Sequence, residues 1–234
     1  MQLAPLYPFI YRVLKPTFPA CLWQGDVAAK AIALTFDDGP HQQYTPQLLE
    51  VLAHHQITAS FFWLGTCVNR APAIAREVYQ KGHWIGLHGY EHRAFPRLSP
   101  TALKQSLKKT QAAIAQACNL EFTDVQRRMR DVRPPNGLFT PQTLSNLQHW
   151  NYRPVMWSVV PEDWVCPGPE IVVNRVLQQV QNGSLVVLHD GFYGGQDVCE
   201  TVAKLIPLLL GQGYQLVTID QLWQDHPISN SEPI

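Results

Sequence analysis

From Ala31 onward the chain repeats one pattern: a short, almost wholly apolar run, then a turn, then a segment with helical spacing. The apolar runs are Ala31–Phe36, Ala59–Leu64, Trp84–Leu87, a short one near Val132, Tyr152–Val160, Ser184–Leu188 and Tyr214–Ile219. A strand that is apolar on both faces must be covered on both, so the alternation predicts parallel strands wrapped by helices. Helical spacing falls near Thr45–His55, Pro72–Lys81, Thr101–Ala117, Pro141–Trp150, Pro169–Gln181 and Thr201–Gln212. Ser99-Pro100 and Thr140-Pro141 read as helix starts, a capping hydroxyl followed by Pro in the first turn. Seven such strands in 234 residues suit one α/β domain, either a closed barrel or an open doubly wound sheet. No Gly-x-Gly-x-x-Gly follows the first strand, which removes the best sign of a dinucleotide fold.

Composition narrows the function classes. Charged residues make up 15% of the chain against a usual share of about 25%, which argues against a disordered tail or linker. Lys+Arg and Asp+Glu are both 18, so there is no basic field to hold phosphates and no nucleic-acid partner is expected. No apolar run approaches the roughly 18 residues a transmembrane helix needs. At the N-terminus Pro5 and Pro8 interrupt the apolar stretch, and Arg12 and Lys15 follow it rather than precede it. That is not the order of a secretory signal. Residues 1–30 are therefore expected to form an apolar strap across the outside of the domain, 31–225 the α/β domain itself and 226–234 a tail. The five cysteines are scattered without a CxxC spacing and read as small apolar filler in a reducing compartment. The expected location is cytoplasmic or peripherally membrane-associated.

The unusual polar residues fall at strand ends. The first run closes on Asp37-Asp38-Gly39-Pro40, the third on His88-Gly89-Tyr90-Glu91-His92, and the Val132 run on Arg133-Pro134-Pro135-Asn136-Gly137. The fifth leads into Pro161-Glu162-Asp163-Trp164, and the sixth closes on His189-Asp190-Gly191. Each segment alone is a competent turn, with Asp or Asn to cap it and Gly or Pro to set its backbone angles. In a parallel α/β fold, however, all C-terminal strand ends meet on one face, where active sites are built. Five polar endings on one face exceed what turn chemistry requires.

His88 and His92, four residues apart, can aim two imidazoles at one point. A lone HxxxH is weak evidence, and Gly89 stands where a zinc-protease helix needs Glu. Asp38 on the same face strengthens the pair. Two imidazoles and a carboxylate with open positions form a catalytic rather than a structural metal site. Mixed nitrogen and oxygen donors suit Zn²⁺ best, with Co²⁺, Ni²⁺ or Fe²⁺ as alternatives.

These segments, in this order, resemble the polysaccharide deacetylases with a NodB-type domain, carbohydrate esterase family 4. The resemblance spans roughly Ala31 to Trp223, and its most specific block is Thr35-Phe36-Asp37-Asp38-Gly39-Pro40. It implies an irregular, TIM-barrel-like (β/α)7 barrel in a single domain. It also implies that Asp37 is the general base and that Asp38, His88 and His92 hold a divalent metal. Arg133 would orient Asp37, His189 would be the general acid with Asp163 supporting it, and Trp164 and Val187 would wall the acetyl pocket. The substrate implied is an acetylated carbohydrate. The division of labour is chemically sound. Amide hydrolysis needs an activated water, a stabilised oxyanion and a proton for the leaving amine. The backbone N–H of Asn136 would serve as a second oxyanion donor, and Tyr90, between the metal histidines, would touch substrate.

Three positions depart from the family pattern. Gly89 replaces the usual Ser or Thr, Asn136 an aromatic, and Val187 a Leu. Two other readings therefore stand beside N-deacetylation. One is O-deacetylation of an acetylated sugar by the same residues. The other is a metal- and carbohydrate-binding protein with weak turnover. Trp150, Trp157 and Trp223 are expected in the core, and Phe192–Gly195 as a loop able to cover a sugar.

Overall fold

The computed structural model of the chain describes residues 6–224; the expected tail, 226–234, lies outside them. In chain order the elements are α1 (Tyr7–Thr17), β1 (Ala31–Asp37), α2 (Tyr44–His54), β2 (Ser60–Trp63), α3 (Gly65–Arg70), α4 (Pro72–Gln80) and β3 (Trp84–Leu87). There follow α5 (Pro100–Cys118), α6 (Phe122–Arg128), β4 (Asp131–Val132), α7 (Pro141–His149), β5 (Arg153–Pro154) and α8 (Pro169–Gln179). The last are β6 (Leu185–His189), α9 (Gly195–Gly211), β7 (Gln215–Leu216) and α10 (Ile219–Gln224). The strands form one parallel sheet in the order β5-β4-β3-β2-β1-β6, and β7 pairs with the start of β1.

The sheet is curled, and the segment after β5 draws its ends together. Val155 N–H donates to Val132 at one edge, whereas Val159 N–H donates to Leu185 and the Val187 N–H donates back to Val159 at the other. Pro154 has no N–H to give a ladder, and the chain here has to cross from one edge strand to the other. The run Tyr152–Val160 is thus a two-residue strand followed by isolated bridges rather than a full strand. The result is the expected irregular barrel of seven parallel strands.

Strand alternation decides what enters the barrel. On β1, Ile32, Leu34 and Phe36 pack outward into the large core shared with α2, α4, α5 and α9. Ala33 joins a smaller cluster with Leu22, Phe62, Val155 and Leu185. Thr35 and Asp37 share its side of the strand. On β6, Val186 and Leu188 take the outer layer, which leaves Leu185, Val187 and His189 on the other face. Alternation along two neighbouring strands thereby aims Asp37 and His189 the same way.

Helix ends follow the predicted capping. Ser99 Oγ accepts from the Ala102 N–H, and α5 closes on Asn119 in the left-handed region. Thr140 and Thr143 form a reciprocal capping box at α7. α9 starts at Gly195, six residues ahead of the predicted Thr201, and absorbs the end of the expected loop. α1 was not foreseen as a helix; it carries Tyr11 into a cluster with Cys21, Trp23, Leu144 and Met156. All five cysteines are free; Cys21 and Cys118 are buried, but Cys166 is exposed and is not filler. No helix among the described residues is long and apolar enough to cross a membrane.

Candidate active site

The C-terminal strand ends open into a cleft of about 490 Å³. Asp37, the last residue of β1, is buried and sits in register with Phe62 of β2 and His189 of β6. Arg133, wholly buried, follows β4 and donates from Nη1 to Asp37 Oδ1 at 2.6 Å and to Thr35 Oγ1 at 2.8 Å. Its Nη2 donates to the Met156 carbonyl at 2.8 Å, and its plane lies 4.1 Å from the centre of the Phe62 ring. Burial pulls the guanidinium pKa down, and Asp37 opposes that shift. A guanidinium starts from so high a pKa that it remains charged at neutral pH.

Asp38 takes a left-handed backbone (φ 73°), unusual for a residue with a side chain. This turns its carboxylate toward the histidines. His88 Nε2 and His92 Nε2 each lie 3.5 Å from Asp38 Oδ1. His88 Nδ1–H donates to the Arg133 carbonyl at 2.7 Å, so its Nε2 lone pair faces Asp38. Burial lowers the His88 pKa despite the neighbouring carboxylates of Asp37 and Asp38, which favours the neutral, ligating ring.

These three residues fit a divalent ion. Their donor atoms lie within 4.8 Å of one another, and the buried Asp38 Oδ1 has no hydrogen-bond partner. Ligands about 2.0–2.1 Å from a tetrahedral zinc stand roughly 3.3 Å apart, close to the spacings here. An orphaned buried carboxylate oxygen is expensive unless a cation takes it.

His189 is held from two sides by Asp163. One carboxylate oxygen accepts its backbone N–H at 2.7 Å, and the other accepts Nδ1–H at 2.8 Å. Burial lowers the ring's pKa, but the Asp163 charge and hydrogen bond, with Asp38 and Asp37 nearby, outweigh it and raise the value to about 9. Asp163 opens a short turn flanked by Glu162 and Cys166, both left-handed. Such strain persists only where the surroundings enforce it. Trp164 meets the His189 ring edge-on, at 5.3 Å.

Trp164, Val187 and Asn136 line the cleft with Asp37, Asp38, His88, His92 and His189. Tyr90, expected beside substrate, does not: it packs against Gly65, its hydroxyl accepts from Asn69 Nδ2, and it borders a separate hollow with Arg93 and Lys109. The i,i+4 reasoning aims His88 and His92 together but says nothing of the residues between them. Trp157, expected in the core, is a cleft wall instead, in edge contact with Tyr7 of α1 at 5.7 Å. Tyr7 and Val160 also line the cleft and carry no motif signal, whereas Gly137 closes the segment that begins at Arg133 and Tyr193 belongs to the loop expected to cover a sugar. The wholly buried Asp190, which accepts from Thr45 Oγ1, was legible only as the residue after His189.

A curled parallel barrel with a carboxylate–diimidazole site, a buried Asp–Arg pair and an Asp-held histidine at its C-terminal face defines a class: barrel enzymes with a candidate metal site at the strand ends. The chain matches the family model for polysaccharide deacetylases over residues 24–155, so it belongs to the polysaccharide deacetylase family. It is 34% identical to a peptidoglycan-N-acetylglucosamine deacetylase of Bacillus cereus over 86% of this chain and 91% of the relative. It is 32% identical to a chitooligosaccharide deacetylase of a Bradyrhizobium strain over 88% of this chain and 97% of the relative. A solved peptidoglycan N-acetylglucosamine deacetylase in complex with an N-oxidanyl-benzamide superposes with a TM-score of 0.81 at 28% identity, covering 88% of this chain and 93% of that one.

Proposed function

We propose that the chain hydrolyses N-linked acetyl groups on an amino-sugar polysaccharide or glycoconjugate of the chitin-oligomer or peptidoglycan type. The observation that carries this reading is the sharing of one cleft by Asp37 and His189, each fixed by its own buried partner, beside the Asp38–His88–His92 donor set. A divalent ion held there would polarise the acetyl carbonyl and lower the pKa of water. Asp37 accepts the water's proton through Oδ2, since Oδ1 is engaged by Arg133. The guanidinium fixes that carboxylate's rotamer and compensates its charge where water cannot. His189, with Nδ1–H committed to Asp163, turns Nε2–H toward the cleft and gives the proton to the departing amine. Trp164 and Val187 would form the apolar wall that receives the methyl group, and the backbone N–H of Asn136, which also lines the cleft, would serve as an oxyanion donor.

Acetate release tests this on metal-stripped and metal-restored protein with N-acetylglucosamine oligomers and, in parallel, acetylated xylan. Release from the oligomers only after metal is restored is expected, and Asp37→Asn should keep the metal while turnover falls by about 10²–10⁴-fold. Release from xylan alone reassigns the bond to an ester. Undiminished turnover in Asp37→Asn removes Asp37 as the base.

A further inference from the structure

The cleft has an apolar rim. Leu6, Leu138 and Val165 each stand next in chain to a residue that lines the cleft, and each is at least half exposed. Phe192 and Tyr193 follow β6 at the mouth and are 73% and 66% exposed. α1 extends this surface. Its inner side packs through Tyr7, Tyr11 and Leu14, while Leu6, Phe9, Ile10 and Val13, spaced three and four apart, face solvent, with Phe9 70% exposed. α1 is amphipathic, with Arg12 and Lys15 on its polar side, but its apolar side is wider than the part that packs on the domain, and an exposed apolar helix face is normally covered. Apolar residues scattered singly need no explanation, but a ring from four chain segments around one opening does.

Charge and side-chain shape narrow what covers it. Residues 6–18, 136–140, 164–168 and 191–194, which make the rim, contain no Asp or Glu; their only charges are Arg12 and Lys15. Arg12 is exposed, whereas Lys15 is tied to Gln24. A sugar polymer would favour flat aromatic rings, but Leu6, Ile10, Val13, Leu138 and Val165 are branched aliphatics with no planar face. A second copy of the chain on this ring would seal the cleft. An apolar surface bearing cations and no anions fits a lipid interface with negative headgroups.

We propose that the cleft rim and α1 dock on an anionic lipid surface, so that the acetylated amino sugar entering the cleft is one carried by a lipid. The substrate part rests on the deacetylase reading above; the docking part does not. Apolar side chains sink to the headgroup boundary, and Arg12 adds attraction at the phosphates.

Flotation of the 234-residue chain with vesicles tests the docking without turnover. With vesicles of phosphatidylcholine and phosphatidylglycerol the protein is expected to float, with an affinity about fivefold higher than for phosphatidylcholine alone. Phe9→Asp/Val13→Asp should abolish flotation while leaving acetate release from soluble chitin oligomers unchanged. Leu138→Ser/Phe192→Ser, outside α1, should weaken flotation too, which guards against a helix variant that merely unfolds. Wild-type protein that stays off both vesicles, partitions equally onto both, or forms a dimer that the α1 variant breaks overturns the proposal. Release from an N-acetylglucosaminyl lipid in vesicles should exceed release from the soluble oligomer, and the α1 variant should erase that advantage. Flotation with no acetate released from any substrate sinks the deacetylase reading and leaves the docking intact.

Discussion

At the scale of single residues, each proposed catalytic group is held by a partner with no other task in the cleft. Asp37 is paired with Arg133, and both are buried. Removing one member of such a pair leaves an uncompensated charge that costs about 3–5 kcal/mol, so Arg133 variants lose fold as well as turnover. His189 and Asp163 separate more cleanly. A His pKa raised from 6.5 to about 9 means the folded state binds its proton more tightly than the unfolded chain. The stability gained is complete below pH 6.5 and is lost as pH rises toward 9. Asp163→Asn keeps an acceptor for Nδ1–H but removes the charge. The alkaline limb of turnover should then move down by roughly one to two pH units. Thermal melts should also lose part of the stability decline between pH 6.5 and 9. A pH profile that overlays wild type would show that Asp163 does not set this proton affinity.

Among elements, the β2–β3 pairing constrains the site through a close approach of glycine and ring. Phe62 of β2 is in register with Gly86 of β3, and a Cβ at Gly86 would stand 2.6 Å from the Phe62 ring. That ring supports the Arg133 guanidinium, so an apolar strand residue reaches the chemistry through one stacking contact. Gly86→Ala overpacks this layer and should lower stability by about 1–3 kcal/mol in a denaturant titration. Adding Phe62→Leu should recover part of that loss; purely additive effects would mean that the two positions do not touch. The predicted elements α2, α4, α5, α7 and α8 match to within two residues at either end, because their apolar spacing and capping are local. α1 escaped because Pro8 and Pro16, ordinarily helix breakers, stand inside a segment of only eleven residues.

Across the whole molecule, the two ends of the barrel do different work. At the N-terminal end of β4, buried Asp131 accepts from Arg153, Trp84 and Trp223 in a polar network that ties β3, β4, β5 and α10 together. At the other end lie the donor set and the cleft. Asp38 follows β1 while His88 and His92 follow β3, so an ion there would tie two segments separated by β2 and its helices. Metal at about a hundred times its dissociation constant adds roughly 2.7 kcal/mol of stability. For a chain of this size that corresponds to a melting shift of about 5–10 °C. Scanning calorimetry with and without chelator should show it, and His92→Ala should reduce it. Equal melting temperatures would argue that these residues bind no ion.

The strand runs, their polar endings and the residues that gather in the cleft from them were legible in the chain, because a polar cluster closing an apolar strand is a local anomaly. What the chain did not disclose is which distant side chains complete the cleft. Tyr7 and Trp157 reach it only once α1 and the barrel-closing segment have packed together. Tyr90, beside the right motif, is turned away by packing against Gly65. Spacing along a strand or a helical turn decides where a side chain points, whereas the neighbours that meet it are decided by burial of surface contributed from the whole chain.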